Sequence, residues 1–124
     1  MSQANSFDYG GAFSRNIGWV TEAEQLKLRS STVAIAGLGG VGGAHLLTLA
    51  RLGVGNFHIA DFDEFGLHNF NRQVGAFMST IGRPKAEVVA EMVRDINPEA
   101  NIRIFSQGVT AENVDEFLQG VNVY

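Results

Sequence analysis

At 124 residues, with 45% hydrophobic and 18% charged side chains, the chain has the composition of one globular domain or part of one, not of a disordered segment. It has no cysteine, which excludes a disulfide scaffold, a cysteine-ligated zinc and a cysteine nucleophile within it. A formal net charge of −4, with no cluster of Lys or Arg, gives no electrostatic footprint for a nucleic-acid partner, so none is expected.

No apolar run approaches the ~20 residues of a membrane-spanning helix. The first residues carry no basic-then-apolar leader pattern. The expectation is a soluble cytoplasmic protein with no membrane partner. Residues 1–14 are rich in glycine and polar side chains and predict an irregular arm. Thr21, with Glu24 three residues later, forms a capping-box signature and predicts a short amphipathic helix over 21–29. Residues 1–30 are thus expected to be an arm and helix preceding a nucleotide-binding unit over 31–124.

Residues 32–36, Thr-Val-Ala-Ile-Ala, predict a strand buried on both faces of a parallel sheet. A glycine-dense turn follows over 37–43, then a largely apolar helix over 44–52 that Gly53 caps. A second strand over 56–60 ends at Asp61. The connection over 62–82 is longer than ordinary loops, and such loops tend to be functional. Pro84 suits the first position of the next helix, whose buried stripe is Val88, Val89, Met92, Val93 and Ile96, and Asn97-Pro98 ends it. A third strand over 102–105 and a helix over 111–118, capped by Thr110, come next. Residues 121–124 open a fourth strand. Alternating strands and helices predict an α/β fold, a doubly wound, Rossmann-like and mostly parallel sheet with helices on both faces. A fourth strand only four residues long leaves that sheet incomplete, and a fragment of a larger domain is expected.

Gly37-Leu38-Gly39-Gly40-Val41-Gly42 fits G-x-G-x-x-G between a strand and a helix. Gly37 allows the tight turn, Gly39 and Gly40 let backbone approach a phosphate, and Gly42 lets helix and strand pack closely. The helix N-terminus adds free N–H groups and partial positive charge. Asp61, about 24 residues after Gly37, is placed to accept from ribose hydroxyls. This motif alone does not choose between NAD, FAD and ATP.

The segment after Asp61 narrows the choice. A dehydrogenase needs one acid there. It does not need Asn69, Arg72 and Lys85 in the following loop. A triphosphate does, because its charge must be offset before an anionic carboxylate can attack the α-phosphorus. Arg supplies multidentate contacts, Lys a compact charge, and Asn an uncharged donor. Lys85 sits where a helix dipole disfavours a cation, and residues that oppose a local rule are often functional. Asp63 and Glu64, adjacent in a loop, read as solvated carboxylates rather than a metal pair. His45 and His58 read as packed or hydrogen-bonded side chains, and Trp19 and the Phe residues as core and surface packing.

Taken in order, Ser14-Arg15-Asn16-Ile17, the glycine turn, Asp61-x-Asp63, Asn69-x-x-Arg72-Gln73 and Gly82-Arg83-Pro84-Lys85 resemble the ThiF/MoeB family of adenylyltransferases, relatives of ubiquitin-activating enzymes. The resemblance runs from about Phe13 to the end of the chain. It implies that Asp61, beside Asp63, holds the ATP ribose. Asn69 and Lys85 would lie near the ribose and α-phosphate, and Arg72 on the β- and γ-phosphates. Arg15 is similar in position to an arginine that reaches the partner subunit's triphosphate in a family homodimer. Arg72, Lys85 and Arg15 are then the catalytic side chains. The implied reaction adenylates a carboxylate, usually the C-terminal glycine of a ubiquitin-like or sulfur-carrier protein, and releases pyrophosphate. The family's Mg2+-binding Asp, its zinc cysteines and any acceptor thiol would lie beyond residue 124, so these residues alone are expected to be inactive. An NAD- or FAD-binding oxidoreductase domain and a non-catalytic scaffold subunit of this family are the competing expectations.

Overall fold

Three parallel strands build the sheet in the computed structural model, which describes residues 6–124. They are β1 (Thr32–Ala36), β2 (Asn56–Ala60) and β3 (Asn101–Phe105), in the order β1-β2-β3. The register pairs Ile35 with Ile59 and Ile59 with Ile104. Side chains alternate between the two faces. Val33, Phe57 and Ile59 pack against Leu46 and Ala50 of helix α3 (Gly40–Leu52) and Val88, Val89 and Val93 of α4 (Lys85–Ile96). Ala34, Ala60 and Phe105 meet Phe117 of α5 (Val114–Leu118) on the opposite face. Helices on both faces of a parallel sheet are the doubly wound arrangement that the strand–helix alternation predicts.

Several boundaries differ from expectation. The arm is not irregular throughout: Tyr9–Ala12 form a short helix, α1, with Asp8 as its cap. Tyr9 is buried, and its hydroxyl donates to Gly53 O at 2.6 Å and accepts from Gln25 Nε2 at 2.9 Å. That anchor fixes the arm to the C-terminal end of α3. Residues 1–5 of the expected arm lie outside the described residues. Helix α2 (Glu22–Ser30) has the expected capping box: Glu24 N donates to Thr21 Oγ1 and Thr21 N to Glu24 Oε1.

Helix α3 starts at Gly40 rather than residue 44, because the glycine turn itself supplies the first helical turn. Pro84 caps α4 instead of occupying its first position. Its ψ of 131° is extended, and Lys85 is the first helical residue. Helix α5 starts at Val114, not residue 111. Thr110 and Asn113 bracket each other, Asn113 N donating to Thr110 Oγ1 and Thr110 N to Asn113 Oδ1, so Thr110 caps a preceding turn. The expected fourth strand is a single bridge, Val33 to Val123, with Asn122 N donating to Thr32 O and Ala34 N to Val123 O. Gly120, at φ +73°, turns the chain just before this contact.

Trp19 is 93% exposed and belongs to no core. His58 is packed as expected, with Nδ1 2.7 Å from Phe117 O, whereas His45 is exposed and makes no hydrogen bond among the described residues. Among the described residues no helix is long and apolar enough to cross a membrane.

Candidate functional site

The site lies at the carboxyl ends of β1 and β2, where open α/β sheets bind ligands. Leaving β1, Gly37 turns the chain at φ +87°, a conformation that side chains rarely adopt, and its N–H donates to Ala60 O at 2.7 Å. Leu38 N donates to Asp61 Oδ2 at 2.7 Å. The next four amides, Gly39 to Gly42, make no hydrogen bond among the described residues, and the ladder of α3 begins with Gly43 N to Gly39 O. A Cβ on Gly42 would run into the Gly37 carbonyl, so only glycine lets α3 start this close to β1. No acidic residue occupies the first turn of α3. Free N–H groups at the positive end of a helix dipole form an anion cradle.

Asp61 closes one side of the cradle. Its Oδ2 takes Leu38 N and its Oδ1 takes Asp63 N at 2.8 Å. Each carboxylate oxygen keeps a lone pair for a further donor such as a ribose hydroxyl. Asp63 contributes through its backbone: its carbonyl accepts from Lys85 N at 2.9 Å, while its carboxylate is exposed.

That bond belongs to a local pairing which folds the long connection back on itself. Phe65 N donates to Arg83 O, Gly82 N to Phe65 O, and Glu64 bridges Pro84 antiparallel. Lys85 is thereby carried to the end of β2, although 24 residues separate it from Asp61 in sequence. Lys85 is only 7% exposed, its Nζ lies 5.7 Å from the centroid of the Phe65 ring, and it joins no ion pair among the described residues.

Within the loop, Asn69 is 1% exposed and organises the backbone. Its Oδ1 accepts from Gly66 N at 2.9 Å, and its carbonyl accepts from Arg72 N and Gln73 N. This leaves Nδ2 as its free donor. The bracket lays residues 72–74 along the first turn of α3. Arg72 Cγ sits 3.4 Å from where a Gly40 Cβ would be, and Gln73 Nε2 3.4 Å from where a Gly39 Cβ would be. Among the described residues the Arg72 guanidinium bonds only to the His68 carbonyl and Asn71 Oδ1, both at 3.0 Å, and has no carboxylate partner.

The structure therefore gathers Gly37, Gly39, Gly40, Gly42, Asp61, Arg72 and the Asp63 backbone, with Asn69 holding the loop and Lys85 joined through Asp63. Arg15 is not among them. It is exposed in a 3-10 turn (Ser14–Asn16) whose Asn16 bonds Leu52 O, at the far end of α3. Thirteen residues of helix separate the two ends, roughly 20 Å. Gln73 is the residue that sequence reasoning quoted without giving it a task. Its position in the Asn69-x-x-Arg72-Gln73 motif was the available signal. A groove of about 270 Å³, lined by Gly37, Val41, Gly42 and His45, flanks the cradle on its other side.

Among the described residues no three His, Asp or Glu side chains gather into a metal site. Both Asp61 oxygens are engaged by backbone amides, and Asp63 is solvated, so these residues do not fit a magnesium ion by themselves.

Residues 13–123 match the ThiF family. The chain belongs to the ThiF family. It is 38% identical over 105 residues to a tRNA threonylcarbamoyladenosine dehydratase of Bacillus subtilis, covering 85% of this chain and 41% of that protein. It is 35% identical over 102 residues to protein HesA of Nostoc, covering 82% and 40%. The Escherichia coli tRNA threonylcarbamoyladenosine dehydratase, solved in complex with ATP, superposes with a TM-score of 0.86 at 32% identity, covering 91% of this chain and 46% of that one. Escherichia coli MccB, solved with ATP, gives a TM-score of 0.65 at 29% identity, covering 76% and 27%. The chain thus spans less than half the length of these relatives.

Proposed function

We propose that the protein uses ATP to adenylate a carboxylate, releasing pyrophosphate. The observation that carries this reading is a turn of four amides without partners among the described residues, with Arg72 against Gly40 and a nearly buried Lys85 tied through its backbone to Asp63, neither cation paired with a carboxylate among the described residues. A carboxylate is already ionised at neutral pH, so its attack needs no general base. One carboxylate oxygen bonds to the α-phosphorus, the bond to the bridging oxygen of pyrophosphate breaks, and the leaving group takes the electron pair. Asp61 and Asn69 orient the nucleotide. The amides of the glycine turn, Lys85 and Arg72 offset charge on the phosphates, so rate comes from positioning and electrostatics. Arg15 is assigned to the partner subunit's site in a homodimer, in keeping with its distance from the cradle of its own chain.

An NAD or FAD site is less favoured, because neither cofactor calls for a nearly buried lysine beside Asp61. A scaffold role is less favoured for the same reason. Two carboxylate classes are candidates. The family resemblance points to the C-terminal glycine of a ubiquitin-like or sulfur-carrier protein. Similarity to tRNA threonylcarbamoyladenosine dehydratases favours a carboxylate borne by a modified tRNA nucleoside, despite the net charge of −4 of these residues.

Pyrophosphate–ATP exchange by the full-length protein tests the reading. Exchange that depends on tRNA bearing the threonylcarbamoyl group, or on a ubiquitin-like protein, supports it and selects the substrate. No carboxylate-dependent exchange with either, in a protein that also binds NADH in preference to ATP, overturns it.

A further inference from the structure

At the end of α3 remote from the cradle, Tyr9, Asn16 and Gln25 close a polar hub that the chemistry above does not use. Gln25 Nε2 donates to Tyr9 Oη at 2.9 Å and to Leu52 O at 3.0 Å, and Tyr9 Oη donates on to Gly53 O at 2.6 Å. Asn16 Nδ2 donates to Leu52 O and to Gln25 Oε1, both at 3.1 Å. Neither carboxamide can be turned over, because each nitrogen faces the Leu52 carbonyl, which only accepts. Gly53 makes room for the hub: a Cβ there would collide with Gln25 Nε2 and Tyr9 Oη.

Capping explains part of the hub. The last carbonyls of a helix have no partner inside it, and Gln25 and Tyr9 serve those of Leu52 and Gly53. Asn16 is not needed for that, since it is a second donor to a carbonyl already served. What its two bonds fix is its own turn. Asn16 ends the 3-10 turn Ser14–Asn16, whose other end is tied by Ser14 Oγ donating to Gly11 O at 3.0 Å. Between the two ties stands Arg15, exposed and with no ion-pair partner among the described residues. A turn fastened at both ends beneath an uncommitted cation holds that cation ready for a group outside its own chain, and lowers the ordering that binding would demand.

We propose that Asn16, backed by Gln25 and Tyr9, is a positioning residue for adenylation, fixing the turn that presents Arg15 to the partner subunit's triphosphate. The inference rests on the adenylation reading and on the assignment of Arg15 above, and adds to them the residues that aim the side chain. Asn16 itself touches no substrate.

A double-mutant cycle on Arg15 and Asn16 tests it, read as ATP–pyrophosphate exchange by the full-length protein at saturating ATP and carboxylate. Arg15→Ala is expected to lower exchange about tenfold, the scale of one charged contact to phosphate. Asn16→Ala keeps the charge and frees the turn, with an expected loss of about fivefold from misplacement. Together they should lose no more than Arg15→Ala alone, because an absent cation cannot be misplaced. Tyr9→Phe, which removes only the hydroxyl, should lose about threefold, and only while Arg15 is present. Wild-type exchange in Asn16→Ala overturns the inference. So does a combined loss equal to the product of the two single losses, the mark of a general structural role. Should Asn16→Ala fail to fold, Tyr9→Phe takes its place in the cycle, and the same two results overturn the inference. Exchange that Arg15→Ala leaves intact removes the roles of Arg15 and Asn16 while adenylation stands. No exchange by the wild-type protein with any carboxylate overturns the adenylation reading and this inference with it.

Discussion

Arg83 and Lys85 stand two residues apart at the start of α4 and have opposite surroundings. Arg83 points along the outer face of its helix, where it pairs with Glu87 at 3.0 Å and with Glu91. Those bonds, Glu91's first, raise its pKa above the ordinary arginine value. Lys85 faces inward, nearly buried, over the Phe65 ring and without a carboxylate partner among the described residues. It also occupies the first turn of α4, where the dipole disfavours a cation. A surface pair contributes little to stability, whereas an unpaired buried charge is costly. One cation is completed by its own helix. The other is held at a cost that only an incoming anion offsets, and that contrast separates scaffold from site.

The largest expected effect therefore falls on Lys85. Lys85→Ala should lower ATP–pyrophosphate exchange by about 100-fold, the scale of removing one preorganised donor from a developing charge. Its melting temperature should stay the same or rise, because an unpaired buried ammonium is removed. Exchange near wild type would cancel the contrast with Arg83. Arg72→Ala comes next. Arg72 is exposed and lies beside the cradle rather than under it, so its charge is better screened. A loss of at least about tenfold is expected. Retained exchange would leave Lys85 as the one working cation beside its own chain's cradle.

Much of this is legible in the sequence. The capping box at Thr21, the G-x-G-x-x-G turn and the alternation of strands and helices each rest on local chemistry, and each appears where its residues predict. Most of what escaped was non-local. Tyr9 anchors the arm through a hydroxyl that reaches Gly53, a partner 44 residues away that no periodicity reports. Thr110 has the chemistry of a helix cap, yet Asn113 competes for it and shortens the helix. In the site, residue types were readable but their division of labour was not. Asn69 spends its oxygen on the loop, Asp63 acts through its carbonyl, and the placement of Lys85 depends on how residues 63–65 pair with 82–85.

The smallest effect belongs to the other side of the comparison and tests whether the outer face of α4 is scaffold alone. Glu91 is held below the ordinary carboxylate range, first by its bond to Arg83. A lowered folded pKa means that the pair's contribution is present above the unfolded carboxylate pKa and is lost as pH falls through the lowered value. Arg83 stays charged throughout that range, so only Glu91 titrates. Glu91→Gln should therefore shift the melting temperature by no more than about 2 °C at pH 7. The difference from wild type should shrink toward pH 3, and exchange should be unchanged at neutral pH. Glu87 remains to hold the guanidinium, which limits the effect further. A tenfold fall in exchange on this substitution would mean that Arg83 is released into the site or was already serving it, and the division between a satisfied surface cation and an unsatisfied site cation would no longer hold.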